Sequence, residues 1–88
     1  MRCFAIIIPP DSSVDQGKVE EIYEKHIKFF DGAWFVATGN DTTADSVRSA
    51  LEIGKGPGMS GVVVLMDDPV GFARKDVADA LIEWKNTV

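Results

Sequence analysis

The fold of this chain is decided by residues 27–38, which read Ile27-Lys28-Phe29-Phe30-Asp31-Gly32-Ala33-Trp34-Phe35-Val36-Ala37-Thr38. Two apolar, aromatic-rich runs flank an Asp-Gly pair at Asp31 and Gly32. This pattern favours a type I′ hairpin turn, because both central residues of that turn need a positive φ. The sequence therefore predicts that residues 27–30 and 33–38 pair as antiparallel strands. In the alternative interpretation, a helix runs through Phe30 and Gly32 caps it.

The residues before this hairpin predict a strand and a helix. Residues 3–8 are apolar on both faces and are followed by two prolines, as expected of a central strand that ends there. Ser13 and Gln16 have the spacing of a capping box. Apolar and aromatic side chains then recur at helical spacing, namely Val19, Ile22, Tyr23, His26 and Ile27.

The residues after the hairpin predict a second helix, a strand and a third helix. Thr42 and Asp45 have capping-box spacing, and the apolar stripe that follows is Ala44, Val47, Ala50 and Leu51. Gly54 is predicted to end this helix. Residues 62–66, Val-Val-Val-Leu-Met, are the most strand-like run of the chain. The third helix is marked by Ala73, Val77, Ala80, Leu81 and Trp84.

Two fold classes follow from the two interpretations of residues 27–30. With the hairpin, the order is βαββαβ plus a C-terminal helix, which predicts a ferredoxin-like α+β sandwich. Without it, the order is βαβαβα, which predicts a small three-stranded parallel sheet. We favour the hairpin, because the turn chemistry is specific whereas a short apolar run fits either a helix or a strand.

Length and composition limit the classes of function. The 88 residues suit a single domain, residues 1–88, and so small a core makes a homodimer a reasonable expectation. A net charge of −5 argues against nucleic acid or an anionic membrane as partner, since both need a positive patch. The apolar start of the chain is too short to span a membrane. One cysteine, Cys3, allows no disulfide within the chain and predicts a reducing, cytoplasmic location.

The middle of the chain resembles a known family. The residues that carry the resemblance are Phe30-Asp31-Gly32-Ala33-Trp34-Phe35-Val36, followed by Thr42-Thr43-Ala44-Asp45-Ser46-Val47-Arg48 and Leu51. This pattern is similar to small stand-alone relatives of the VapD toxins and of the CRISPR adaptation endonuclease subunit. The resemblance implies a ferredoxin-like fold that pairs as a dimer. The nuclease members carry an aspartate at the end of the first strand, where this chain has Ile8, Pro9 and Pro10 and reaches Asp11 late.

Four aspartates are the candidate metal ligands. Asp11, Asp41, Asp67 and Asp68 each follow a predicted strand. In the parallel sheet they would meet at one edge, where carboxylates suit Mg²⁺. In the ferredoxin-like arrangement the first and last strands run in opposite directions, which separates Asp11 from Asp67. Capping of turns and helices is then the simpler role, and no metal or cofactor is expected.

The remaining candidate sites favour structural roles. Residues 56–61 match G-x-G-x-x-G, but they follow a helix and lead into a strand, so no helix N-terminus is available to hold phosphate. We interpret residues 54–61 as a mobile connector. His26 is predicted at the boundary of the first helix, and Cys3 as an unreactive core residue. Trp34 is predicted to pack in the core.

The sequence thus predicts a non-enzymatic protein that acts through self-association or protein partners, with no catalytic residue assigned. Residues 62–66 would form an edge strand, and an apolar edge needs a cover, either the third helix or a second subunit. The predicted interface residues are Val62, Val64 and Trp84. The alternatives are a divergent VapD-like endoribonuclease and a magnesium-binding α/β protein.

Overall fold

The computed structural model describes residues 1–66 and, beyond them, Asp79 and Glu83. Its elements, in chain order, are β1 (Arg2–Ile7), α1 (Gly17–Ile22), β2 (His26–Phe30), β3 (Ala33–Thr38), α2 (Ala44–Ala50) and β4 (Val62–Met66). The strands form one four-stranded sheet in the order β2-β3-β1-β4, and every neighbouring pair is antiparallel. The protein is therefore a small α+β protein, and the parallel-sheet alternative is wrong. The predicted third helix lies outside the described residues, except that Asp79 and Glu83 are helical and exposed.

The predicted hairpin between β2 and β3 is confirmed. Ile27 lies opposite Phe35 and Lys28 lies opposite Trp34. The turn type, however, differs from the type I′ prediction, because Gly32 has φ +86° whereas Asp31 is not in the positive-φ region. The strands also contain an irregularity between Lys28 and Phe30. A single left-handed glycine together with a bulge closes the hairpin in place of two left-handed residues.

The first helix is shorter than its apolar stripe predicts. It ends at Ile22, and Tyr23 is extended at φ −105° and ψ 103°. His26 and Ile27, which the stripe placed on the helix, belong to β2 and pair with β3. Short apolar spacing does not distinguish a helix from a strand, and here the hydrogen bonds offered by β3 determine the outcome.

The start of the first helix also differs from the prediction. The N-cap is Gln16 and its side chain makes no capping bond, so the capping box of Ser13 and Gln16 is wrong. The hydroxyl of Ser12 instead accepts a hydrogen bond from the Val14 N–H, and Asp15 Oδ1 accepts one from the Gly17 N–H. These local bonds satisfy backbone donors ahead of the helix.

The second helix begins one residue later than predicted and ends earlier. Thr43, rather than Thr42, is the N-cap, and it forms a reciprocal capping box with Ser46. At the other end, the N–H groups of Glu52 and Ile53 donate to the carbonyls of Ser49 and Arg48. With Glu52 left-handed at φ 62°, this is a Schellman motif built on a glutamate, and it ends the helix before Gly54.

The core of the described residues lies between one face of the sheet and the two helices. Antiparallel partners share a face, so the register places Phe4, Ile6, Trp34 and Val36 together on the side that we call the helix face. Val19 of α1 and Val47 of α2 are fully buried, and both belong to the same cluster as these four residues. The predicted core position of Trp34 is confirmed, since it is 2% exposed.

Candidate interaction surface

The opposite side of the sheet, the far face, is apolar throughout. Its members follow from the strand register, and the ring contact between Phe29 and Phe35 places Phe29 with them. They are Cys3, Ala5, Ile7, Ile27, Phe29, Phe30, Ala33, Phe35, Ala37, Val62, Val64 and Met66. None of them belongs to the core cluster on the helix face. A sheet face that is open to water normally carries polar side chains, so a second face without charged residues is typical of a surface that packs against another layer. Two members of this face, Cys3 and Ala33, are indeed buried.

Exposure on this face is highest toward its two edges, at Phe30 of β2, which is 56% exposed, and at β4. Val62 is 53% exposed, Val64 is 47% exposed, and Ile7, which lies opposite Val62, is 45% exposed. Leu65, on the helix face of the same strand, is also exposed. We call Ile7, Val62, Val64 and Leu65 the β4 patch. The structure thus brings together two of the three predicted interface residues, Val62 and Val64, whereas Trp84 lies outside the described residues.

Ile7 and Leu65 are the members of the patch that sequence reasoning missed. The sequence predicts that Ile7 lies in a central strand that is buried on both faces, because its neighbours are all apolar. The exposure of Ile7 follows from its place at the end of β1, next to the first residue of β4. No sequence signal distinguishes Ile7 from the fully buried Ile6, but the alternation of side chains along a strand does so once the core face is known.

The candidate metal ligands are not brought together. Asp11 is exposed in the turn after β1, and Asp41 is exposed in the turn after β3. Because β1 and β3 are antiparallel, these turns lie at opposite ends of the sheet. Asp67 and Asp68 lie outside the described residues. Within the described part of the chain, no group of three or more His, Cys, Asp or Glu side chains could hold a metal ion.

The glycine-rich loop at residues 54–61, which the sequence predicts to be a mobile connector, makes defined contacts. The Ser13 N–H donates to the Gly58 carbonyl at 2.7 Å, and the Ser12 hydroxyl donates to the Ser60 carbonyl at 2.6 Å. Met59 packs against the core cluster. The loop runs from α2 into β4, so it offers no helix N-terminus to a phosphate group, as the sequence predicts.

His26 joins the first helix to β2. Its Nδ1 lies 2.7 Å from the Tyr23 carbonyl oxygen, which can only accept, so Nδ1–H is the donor. Its Nε2 lies 3.2 Å from Glu20 Oε1, and an ion pair forms there when the imidazole is protonated. The hydrogen bond to the Tyr23 carbonyl makes His26 a structural link between α1 and β2.

Three further polar groups near the sheet are affected by burial: the Cys3 thiol, the Tyr23 hydroxyl and the Trp34 N–H. Cys3 is a buried free thiol, and burial raises its pKa, which keeps the thiol protonated and unreactive. Burial likewise raises the pKa of the Tyr23 hydroxyl.

The Trp34 Nε1–H is buried without a hydrogen-bond partner in the described structure, while Lys28 Nζ lies 5.7 Å from the centre of the Trp34 ring. That cation–π contact covers the tryptophan at the β2 side of the sheet.

An ion-pair cluster at the end of α2 was also missed by sequence reasoning. Glu52 Oε2 lies 3.1 Å from Lys18 Nζ, and Glu52 Oε1 lies 3.1 Å from Lys55 Nζ. The hydrogen bond from Lys18, followed by that from Lys55, lowers the pKa of the Glu52 carboxyl. Lys55 is three residues away and could be paired from the sequence, whereas Lys18 is brought there only by the fold.

Comparisons with known proteins find no family model, no curated protein and no solved structure that matches the chain. The resemblance to the VapD toxins and to the CRISPR adaptation endonuclease subunit therefore stays a prediction. Among the described residues, no helix has the length and apolar character needed to cross a membrane.

Proposed function

We propose that this protein is a small non-enzymatic binding protein that acts by self-association, as a homodimer. The observation that carries the proposal is the β4 patch, in which Val62 and Val64 of the edge strand β4 and Ile7 of the neighbouring strand β1 are each about half exposed. An edge strand offers unpaired backbone groups, and natural proteins usually protect such an edge with charges or a cover. The apolar surface of β4 instead favours contact with another protein surface.

We further propose that the sheet and helices have a ferredoxin-like arrangement. The element order βαββαβ and the strand order β2-β3-β1-β4 support this arrangement. It makes β4 the outer strand on one side and β2 the outer strand on the other. A lone, buried cysteine is consistent with a reducing, cytoplasmic setting for the dimer.

The experiment that tests self-association is sedimentation velocity over a protein concentration series from micromolar to millimolar. We expect the sedimentation coefficient to rise with concentration toward that of a dimer. Val64→Lys should shift this rise to higher concentrations, because burying the charged lysine of the edge strand in an interface would remove its ammonium group from water. The matched control is Phe30→Lys, at an apolar side chain that is 56% exposed on the other edge strand.

The control variant should behave like the unmodified protein. A wild-type chain that stays monomeric over the whole series would contradict the proposal. If Phe30→Lys weakened association as much as Val64→Lys does, the interface would not be located at β4.

A divergent VapD-like endoribonuclease is the second candidate. The hairpin at Asp31 and Gly32 favours it, since that turn belongs to the pattern on which the resemblance rests. The arginine of the pattern is Arg48, and its guanidinium donates hydrogen bonds to Asp45 Oδ1 and to the Ile53 carbonyl at the end of α2. An RNA cleavage assay with and without Mg²⁺ tests this candidate, and cleavage that survives Arg48→Ala would show that the arginine has no part in it.

A further inference from the structure

The backbone groups on the outer edge of β4 can be assigned from the ladder pattern. The Ile8 N–H donates to the Gly32 carbonyl, so Ile8 directs its backbone bonds toward β3. Backbone direction alternates along a strand, so Ile6 and Phe4 also face β3, while Ile7, Ala5 and Cys3 face β4. The partners of these last three residues are Val62, Val64 and Met66. The N–H and C=O groups of Val63 and Leu65 therefore point outward, away from β1.

The two edges of the sheet differ in how they are protected. On β2, the irregularity between Lys28 and Phe30 breaks the straight ladder, and Lys28 places a charge there. A bulge and a lysine are two of the devices by which edge strands avoid pairing. β4 pairs with β1 without a register shift, and all five of its residues are apolar. Of the two edges formed by the described residues, only that of β4 is suited to receive another strand.

We propose that β4 pairs antiparallel with β4 of a second copy of this chain, with the two-fold axis at Val64. This inference rests on the self-association proposed above and specifies its geometry. Centring on Val64 overlaps all five residues of both strands and places Val63 opposite Leu65 of the partner subunit. These are the residues whose backbone groups point outward, so each copy satisfies the donors and acceptors of the other.

Side-chain chemistry also favours a second copy as the occupant. The strand has no charged residue, so two copies meet without like-charge contact although each chain carries a net charge of −5. Exposed side chains occur on both faces of β4, Val62 and Val64 on one and Leu65 on the other. A partner strand alongside covers both faces, whereas a surface packed on the far face would leave Leu65 exposed.

The size of the contact predicts a weak dimer. A five-residue strand is about 17 Å long, and a pair of such strands buries less than the roughly 800 Å² per partner of a standard interface. The dimer should therefore form in a concentration-dependent way, and the test is made at several concentrations.

The experiment is oxidative cross-linking of single-cysteine variants in a Cys3→Ala background. Val64 would face its own counterpart across a non-hydrogen-bonded pair, with a Cα–Cα separation of about 4.5 Å, which a disulfide can span. Val62 would face Met66 of the partner subunit and lie about 13 Å along the strand from its counterpart. The two valines are similarly exposed on the same face, so Val62→Cys is the matched control for Val64→Cys.

With diamide as oxidant, Val64→Cys is expected to give a covalent dimer at least about ten times faster than Val62→Cys, with a rate that rises with protein concentration. Equal rates, or a faster reaction of Val62→Cys, would overturn the Val64-centred pairing. Sedimentation of the same reduced samples separates the two proposals. A dimer by sedimentation without preferential Val64 cross-linking refutes only the pairing geometry, whereas a monomer at every concentration refutes self-association itself.

Discussion

The carbonyl oxygen of Ile8 lies so close to Gly32 that it would overlap a β-carbon at that position, and the Ile8 N–H donates to the Gly32 carbonyl at 2.6 Å. Two backbones can approach this closely only where one of them has no side chain. Gly32 also has φ +86°, a conformation that other residues rarely adopt. The close approach fixes the end of β1 beside the β2–β3 turn and so sets the register of the central strands.

Gly32→Ala should strongly destabilise the protein. The new methyl group would overlap the Ile8 carbonyl, and the left-handed backbone adds a cost of its own, for a total of at least about 2 kcal/mol. Urea unfolding followed by circular dichroism measures the change. Gly39→Ala is the control, because a β-carbon there meets nothing within 4 Å, and it should change the free energy of unfolding little. Similar values for the two variants would argue against the close contact.

Thr43→Ala should cost about 1 kcal/mol of stability through loss of the helix cap. The Thr43 hydroxyl accepts from the Ser46 N–H at 3.1 Å, and the Ser46 hydroxyl accepts from the Thr43 N–H at 3.0 Å. Thr42→Ala is the comparison, since Thr42 is the cap that sequence spacing predicts. Thermal unfolding of both variants decides between the two threonines, and a larger loss for Thr42→Ala would move the cap one residue back.

Glu52 should contribute to the dependence of stability on pH. Its pKa is lowered in the folded protein from the ordinary 4.5, mainly by the hydrogen bond from Lys18. A lowered pKa means that the contribution is present above pH 4.5 and is lost as the pH falls through the folded-state value. Glu52→Gln should therefore flatten the fall of the free energy of unfolding in this acid range, as measured by urea unfolding at a series of pH values.

Two controls test the assignment to Glu52. Added salt should weaken the effect in the unmodified protein, because the carboxylate and its lysines are accessible to ions. Glu24→Gln removes another exposed carboxylate and should leave the acid dependence nearly unchanged. An unaltered pH profile in Glu52→Gln would show that the ion pairs with Lys18 and Lys55 do not stabilise the fold.

Proline substitutions should distinguish the side of β4 that bonds to β1 from the side that faces outward. Val64→Pro removes an N–H that points to β1, so it should cost a ladder bond and about 1–2 kcal/mol more than Leu65→Pro, whose N–H points outward. Urea unfolding at low protein concentration, where any dimer is dissociated, compares the two. Leu65→Pro as the more damaging change would mean that the assigned backbone directions are reversed.

The sequence identifies most of the elements, because their signals are local. Asp31 and Gly32 between apolar runs predict the hairpin, and the β-branched run 62–66 predicts β4. These local signals give the wrong prediction where one sequence pattern is compatible with two structures. His26 and Ile27 fit a helical stripe and yet pair in β2, and the cap falls on Thr43 although Thr42 has an equally suitable side chain. One residue of offset changes little in sequence propensity but decides which hydrogen bonds form.

What the sequence alone determined is therefore β1, β3, β4 and the two helices, which both interpretations of residues 27–30 share, and it favoured the hairpin that adds β2. The antiparallel order β2-β3-β1-β4, the exposure of Ile7 and the pairing of Lys18 with Glu52 were decided by the tertiary structure. The first group depends on turn chemistry and side-chain periodicity, which act between residues close in the chain. The second depends on contacts between residues far apart in sequence, whose partners exist only once the sheet has formed.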